Sequence, residues 1–141
     1  MGARLGLLAV CVAAIVVLAG RLGDQDGCQE ARRALFGAAV GRTPAPAAEV
    51  RALRSDCHDV DDLSAGAVSV LLAGDRRDAL AIARAATRRG PDVFSAWAAL
   101  EAVQRRADPA AAKRAEVRAR ALNPRWSGPA PLPAPRGAAG P

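Results

Sequence analysis

The stretch SDCHDVDD, residues 55–62, places a hydroxyl, a thiol, an imidazole and four carboxylates within eight positions. A second thiol, Cys28, lies upstream, and a third, Cys11, is set in an apolar run where it serves as a small hydrophobe. Three kinds of chemistry come into question. A metal site would draw on Cys57, His58, Asp59, Asp61 and Asp62, but these ligands are crowded and His58 is the chain's single histidine. The twelve-residue calcium loop, with its central Gly and final Glu, is absent, so no metal is expected. Catalysis fares no better. His58 with Asp61 or Asp62 imitates a base and its orienter, yet Ser55 and Ser64 fall in turns or caps and no oxyanion arrangement accompanies them. No enzyme, cofactor or small-molecule substrate is expected. Cys28 and Cys57 can join, stay as free thiols or share a metal. An oxidising compartment favours the bond, which would close a loop of about 28 residues and stabilise by roughly 3–4 kcal/mol. The aspartates then read as helix caps, with Asp59, Asp61 or Asp62 accepting the free N–H groups of a helix that begins near Leu63.

The elements that position these groups are helical. The 141 residues are 51% apolar but only 3% aromatic, with no Tyr, so a core must be thin and its helices close together. Alanine supplies high helix propensity without side-chain entropy cost, and alternating β-branched runs are missing. Helices are expected over 29–40, 47–54, 63–73, 76–89, 93–106 and 110–122, punctuated by GRTPAP, GDRRD, GPD, ADP and NP. Apolar residues recur at helical spacing: Ala31, Leu35 and Ala38; Ala79, Ile82 or Ala83, and Ala86; Val93, Trp97, Leu100, Val103 and Ala107; Ala112, Ala115, Ala119 and Leu122. Asp92 is the expected cap of the fifth helix. Phe94 and Trp97 are expected to wedge between hairpins, Trp97 in a seat lined by alanines.

These segments repeat. Ala79 and Ala112 lie 33 residues apart, as do Pro91 and Pro124. In RRGPDVFSAWAAL, residues 88–100, a proline closes one helix and a tryptophan opens the next. That seam resembles the tetratricopeptide repeat family, whose units of about 34 residues are paired helices. Trp97, Leu100, Ala112, Ala119 and Pro124 match one unit, and Gly74, Ala79, Ala86 and Pro91 match half of the one before. The departures are Glu101 for the family's Gly, Gln104 for its Tyr, Ala83 and Glu116 for its aromatics, and Leu63 for the first Trp. The resemblance implies an all-α fold of antiparallel hairpins, a short solenoid over 59–124 preceded by a capping hairpin over 28–58.

It also implies binding of a protein or peptide partner rather than catalysis. The family's concave groove maps onto Ser95, Ala98, Ala102, Arg105 and Arg106, and in the earlier unit onto Ser64, Val68, Leu71 and Leu72. Versions that grip a C-terminal carboxylate carry Lys and Asn where Ala98, Ala102 and Val68 stand, so that clamp is not expected. The alternative is a structural accessory, or a remnant of a larger membrane protein, without a groove ligand.

Residues 5–19 form an unbroken apolar run with Arg4 before it and Arg21 after it. Its fifteen residues suit a signal-peptide core, or an anchor slightly short of the roughly 20 residues that span a bilayer. Residues 1–22 are therefore expected to leave the remainder outside the cytoplasm, secreted or held at a bacterial cell envelope. Charge is uneven: 24–62 hold five Arg against eight acids, and 76–141 hold thirteen basic residues against five acids. No recognition fold, stacking aromatics or phosphate loop accompanies the basic part, so nucleic acid is not expected. An anionic membrane surface or cell-wall polymer is a lesser expected partner. The Pro-, Ala- and Gly-rich tail, 125–141, has no core-forming residues, with Trp126 folding back on the last helix.

Overall fold

Three aspartates set where helices begin. Asp59 accepts hydrogen bonds from the N–H groups of Asp61 (2.7 Å) and Asp62 (3.3 Å). Asp75 accepts from Asp78 at 3.0 Å and Asp108 from Ala111 at 2.9 Å, each satisfying a donor that the first turn leaves open. The computed structural model describes residues 26–128, and these form helices with no strand among the described residues. In chain order they are α1 (26–41), α2 (Ala47–Asp56), α3 (Val60–Leu72), α4 (Arg76–Arg89), α5 (Phe94–Gln104) and α6 (Pro109–Leu122). The segment 1–22 and the tail beyond 128 lie outside the described residues. Among those described, no helix is long and apolar enough to cross a membrane.

The fold is all-α and built of helical hairpins. α3 packs on α4 and α5 on α6, while α5 also lies against both α3 and α4. α2 meets α3 along a narrower front. Leu35, Leu53, Leu63, Val70 and Ile82 are buried almost completely, and Ala67, Ala79, Ala83, Ala86, Ala96 and Ala119 have no exposed surface. Small alanines let helix axes approach closely, and a few branched side chains fill what remains. Gly66 shows how close: a Cβ there would run into the Leu53 side chain, 2.8 Å from Cδ1 and 3.1 Å from Cγ. Gly74, at φ +98°, makes the left-handed turn from α3 to α4.

α1 is tied to this stack by the Cys28–Cys57 disulfide, with S–S 2.02 Å and Cα–Cα 4.9 Å. Both cysteines are buried. Arg89 at the end of α4 donates to the Cys57 carbonyl at 2.6 Å, so the cystine is also linked to the second hairpin. Arg32 of α1 pairs with Asp62 of α3.

Several boundaries and faces differ from the sequence expectations. α3 starts at Val60, not near Leu63, because Asp59 takes the cap and leaves Asp61 and Asp62 inside the first turn. α5 has Val93 at its N-cap and no side-chain cap; Asp92 is engaged by Arg118 instead, at 2.7 Å. The buried stripe of α5 is Ala96, Ala99, Leu100, Glu101 and Val103, so Val93 and Trp97 are half-buried and Ala107 is exposed. An alanine-lined interior has no space for an indole with an N–H to satisfy. Trp97 therefore rests at the edge and donates from Nε1 to the Pro91 carbonyl at 2.8 Å. Phe94 meets Trp126 edge-on, with centroids 5.3 Å apart and planes at 75°, which seats the residues after α6 against the start of α5.

Candidate interaction surface

The thiol, the hydroxyl and the carboxylates of SDCHDVDD have structural occupations. Cys57 is in the disulfide. Asp59 caps α3, Asp62 pairs with Arg32, and Asp61 accepts from the Ser95 hydroxyl of α5. Ser55 donates to Asp56 at 2.6 Å. Among the described residues no cluster of His, Cys, Asp and Glu could hold a metal ion. The three carboxylates that follow Cys57 thus serve three different helices.

The groove residues named from sequence do not share one fate. Ser95 is turned to Asp61, and Ala98 and Ala102 are half-buried. Arg105 forks onto Glu101, with Nε–Oε1 and Nη2–Oε2 both 2.9 Å. Glu101 is only 4% exposed, so this guanidinium balances a buried charge and is not set to greet a ligand. Arg106 is exposed. On α3, Ser64 is buried and donates back to the Val60 carbonyl at 2.6 Å, which removes it from any groove. Val68 and Leu71 are half-buried, and Leu72 is exposed.

Losing Arg105 should therefore act on stability before binding. R105A is expected to cost about 1–3 kcal/mol, because Glu101 would keep its burial and lose its counter-ion. Removing both partners, in E101A/R105A, should recover part of that loss. Thermal or urea melts of the two singles and the double check this, and strictly additive losses would show the pair to be uncoupled. A second ionic cluster lies beside it on α6. Lys113 and Arg120 both reach Glu116, at 2.9 and 2.8 Å. The hydrogen bond from Lys113, with the nearby positive charges, holds the Glu116 carboxyl below its ordinary value.

A different surface is open. Between α1 and α3 lies a cleft of about 470 Å³ lined by Gln29, Arg32, Arg33, Phe36, Ala65, Gly66 and Ser69. Phe36 is 65% exposed and Val40, one turn on, 68%. No family model, curated protein or solved structure matches the chain. The reading of this surface accordingly rests on its own geometry.

The sequence carried a signal for it. Gln29, Arg33, Phe36 and Val40 recur at intervals of four, three and four. They lie opposite the buried stripe Cys28, Ala31, Leu35 and Ala38. Two stripes on one helix, each with large apolar members, mean two contacting faces. Only the one that fed the core was recognised.

Proposed function

We propose that this chain is a non-enzymatic protein-interaction module, a short stack of helical hairpins similar to tetratricopeptide repeats. Its N-terminal segment would export it or hold it at a membrane, with the helices outside the cytoplasm. The observation that carries the reading is exposed Phe36, which lines the α1–α3 cleft, with exposed Val40 one turn further along α1. An apolar pair one turn apart beside a shallow cleft suits a partner's peptide or helix laid along it, apolar residues against Phe36 and acids toward Arg33. The packing of α5 into the angle between α3 and α4 supports the repeat reading, since each further hairpin of such a stack is seated that way.

The test is site-specific photo-crosslinking of the full chain in native membranes. A benzophenone side chain at Phe36 or Val40 should yield one discrete adduct, absent when it is placed at exposed Arg125. With the benzophenone kept at Phe36, the variant V40E should abolish that adduct while the melting midpoint stays unchanged. Equal labelling at all three positions, or none at Phe36 and Val40, would sink the assignment.

A further inference from the structure

α4 carries five arginines against one acid, Asp78. Its buried residues are Ala79, Ile82, Ala83 and Ala86. At 100° per residue, Arg77, Ala81, Arg84 and Arg88 fall within about 60° of one another, on the side directly opposite. The three arginines are exposed and span about 16 Å along the helix. None of them has an ionic partner among the described residues. The contrast with α6 is informative, because there Lys113 and Arg120 share Glu116 and Arg118 takes Asp92.

Part of the stripe works against its own helix. Arg76 and Arg77 occupy the first turn, where the helix dipole disfavours positive charge. Arg84 and Arg88 are a like-charge pair at i,i+4. Arg88, in the last turn, suits the dipole, but Arg77 and Arg84 are charges that the fold neither pairs nor profits from, a local conflict of the kind found at functional surfaces.

We propose that the Arg77–Arg84–Arg88 stripe is a docking face for an anionic lipid bilayer, each guanidinium set on headgroup phosphates. The inference rests on the membrane tether proposed above. The apolar run ends at Ala19, and the six residues 20–25 can reach at most about 20 Å, which keeps α1 and its neighbours near a surface. The stripe is straight and carries no aromatic side chain for stacking on bases, which separates it from a single-stranded nucleic-acid site. It faces away from α3 and α5, so a bilayer resting on it leaves the α1–α3 cleft open.

The experiment uses the full chain with Ala81→Cys in a Cys11→Ala background, so that an environment-sensitive dye finds a single free thiol. The labelled protein is mixed with vesicles of phosphatidylcholine alone and of phosphatidylcholine with phosphatidylglycerol. Flotation with the neutral vesicles reads the tether, and dye emission reads the stripe. A blue shift confined to the anionic vesicles is expected. Raised salt should reverse it, and Arg77→Gln/Arg84→Gln/Arg88→Gln should abolish it with the melting midpoint at or above the parent's. If the chain does not float with neutral vesicles, the tether reading fails by itself. The stripe is then judged by binding to anionic vesicles, which the triple variant should weaken roughly a hundred-fold. Equal emission on both vesicles, a shift that survives the triple variant, a lowered melting midpoint, or the same shift with duplex DNA alone would overturn the assignment.

Discussion

Replacing Cys28 and Cys57 together with alanine is expected to lower the unfolding free energy by about 3–4 kcal/mol, the chain-entropy value for a loop of this length. The bond spans 29 residues, closing α1, α2 and the turn between them into one loop. For a domain poor in large apolar groups, a loss of that size is a substantial share of its whole stability. It should also be uneven in space. α1 is held by the cystine, by Arg32–Asp62 and by the burial of Ala31 and Leu35, whereas α4 and α5 are packed on several sides. Urea unfolding measures the total, and amide hydrogen exchange locates it: exchange over 26–41 should accelerate more than exchange in α4 or α5. A loss below about 1 kcal/mol, with exchange in α1 unchanged, would show the bond to be dispensable. The export proposed for this chain would supply the oxidising surroundings that such a bond requires.

The second large effect is expected at the seam between α2 and α3. L53A removes a side chain with no exposed surface and should cost about 2–5 kcal/mol. G66A should cost less, about 1–2 kcal/mol net, since overpacking against Leu53 is partly offset by alanine's better helix propensity. The informative result is the pair. With alanine at 53, the methyl added at 66 enters space that Leu53 has vacated, so the double variant should be more stable than the two losses summed by about 1 kcal/mol or more. Denaturation of the four proteins closes the cycle. Strict additivity would mean that the two residues do not meet. Because α2 touches α3 over a narrow front, this one interdigitation carries much of the coupling between the first hairpin and the rest.

Most of the helices were legible from apolar spacing and from Gly and Pro breaks. The range expected for α4 matches the structure, and α6 begins one residue earlier than expected, at Pro109. The pairing of Cys28 with Cys57 in the structure is the one that the cysteine count favoured. Two features were not legible, for different physical reasons. In α5, alanines at 96, 98, 99 and 102 give adjacent stripes almost equal apolar character. Spacing alone therefore could not orient the helix, and the choice fell on the stripe containing Trp97. The fate of the carboxylates was hidden because all three aspartates after Cys57 can cap a helix. Which one does so depends on contacts made 30 to 34 residues away, to Arg32 and Ser95. Likewise Arg105 reads as a groove cation until the burial of Glu101 is known.

The links between helices share a range. Asp92–Arg118 spans 26 residues, Cys28–Cys57 29, Arg32–Asp62 30, Cys57–Arg89 32 and Asp61–Ser95 34. Cys28–Cys57 closes the first hairpin, Asp92–Arg118 ties the entry of the last one to α6, and the others join a hairpin to the next; none of these reaches further, so the molecule behaves as a short one-dimensional array whose cohesion passes only between neighbours. Such an array comes apart from its ends, and here the ends are unequal. The leading end is closed covalently. The trailing end has an edge-on aromatic pair and an exposed Arg118–Asp92 bridge, with Val117 60% exposed beside them. Local fraying should therefore start at the last turn of α6, while the cystine holds α1 and α2 together and the face bearing Phe36 keeps its shape.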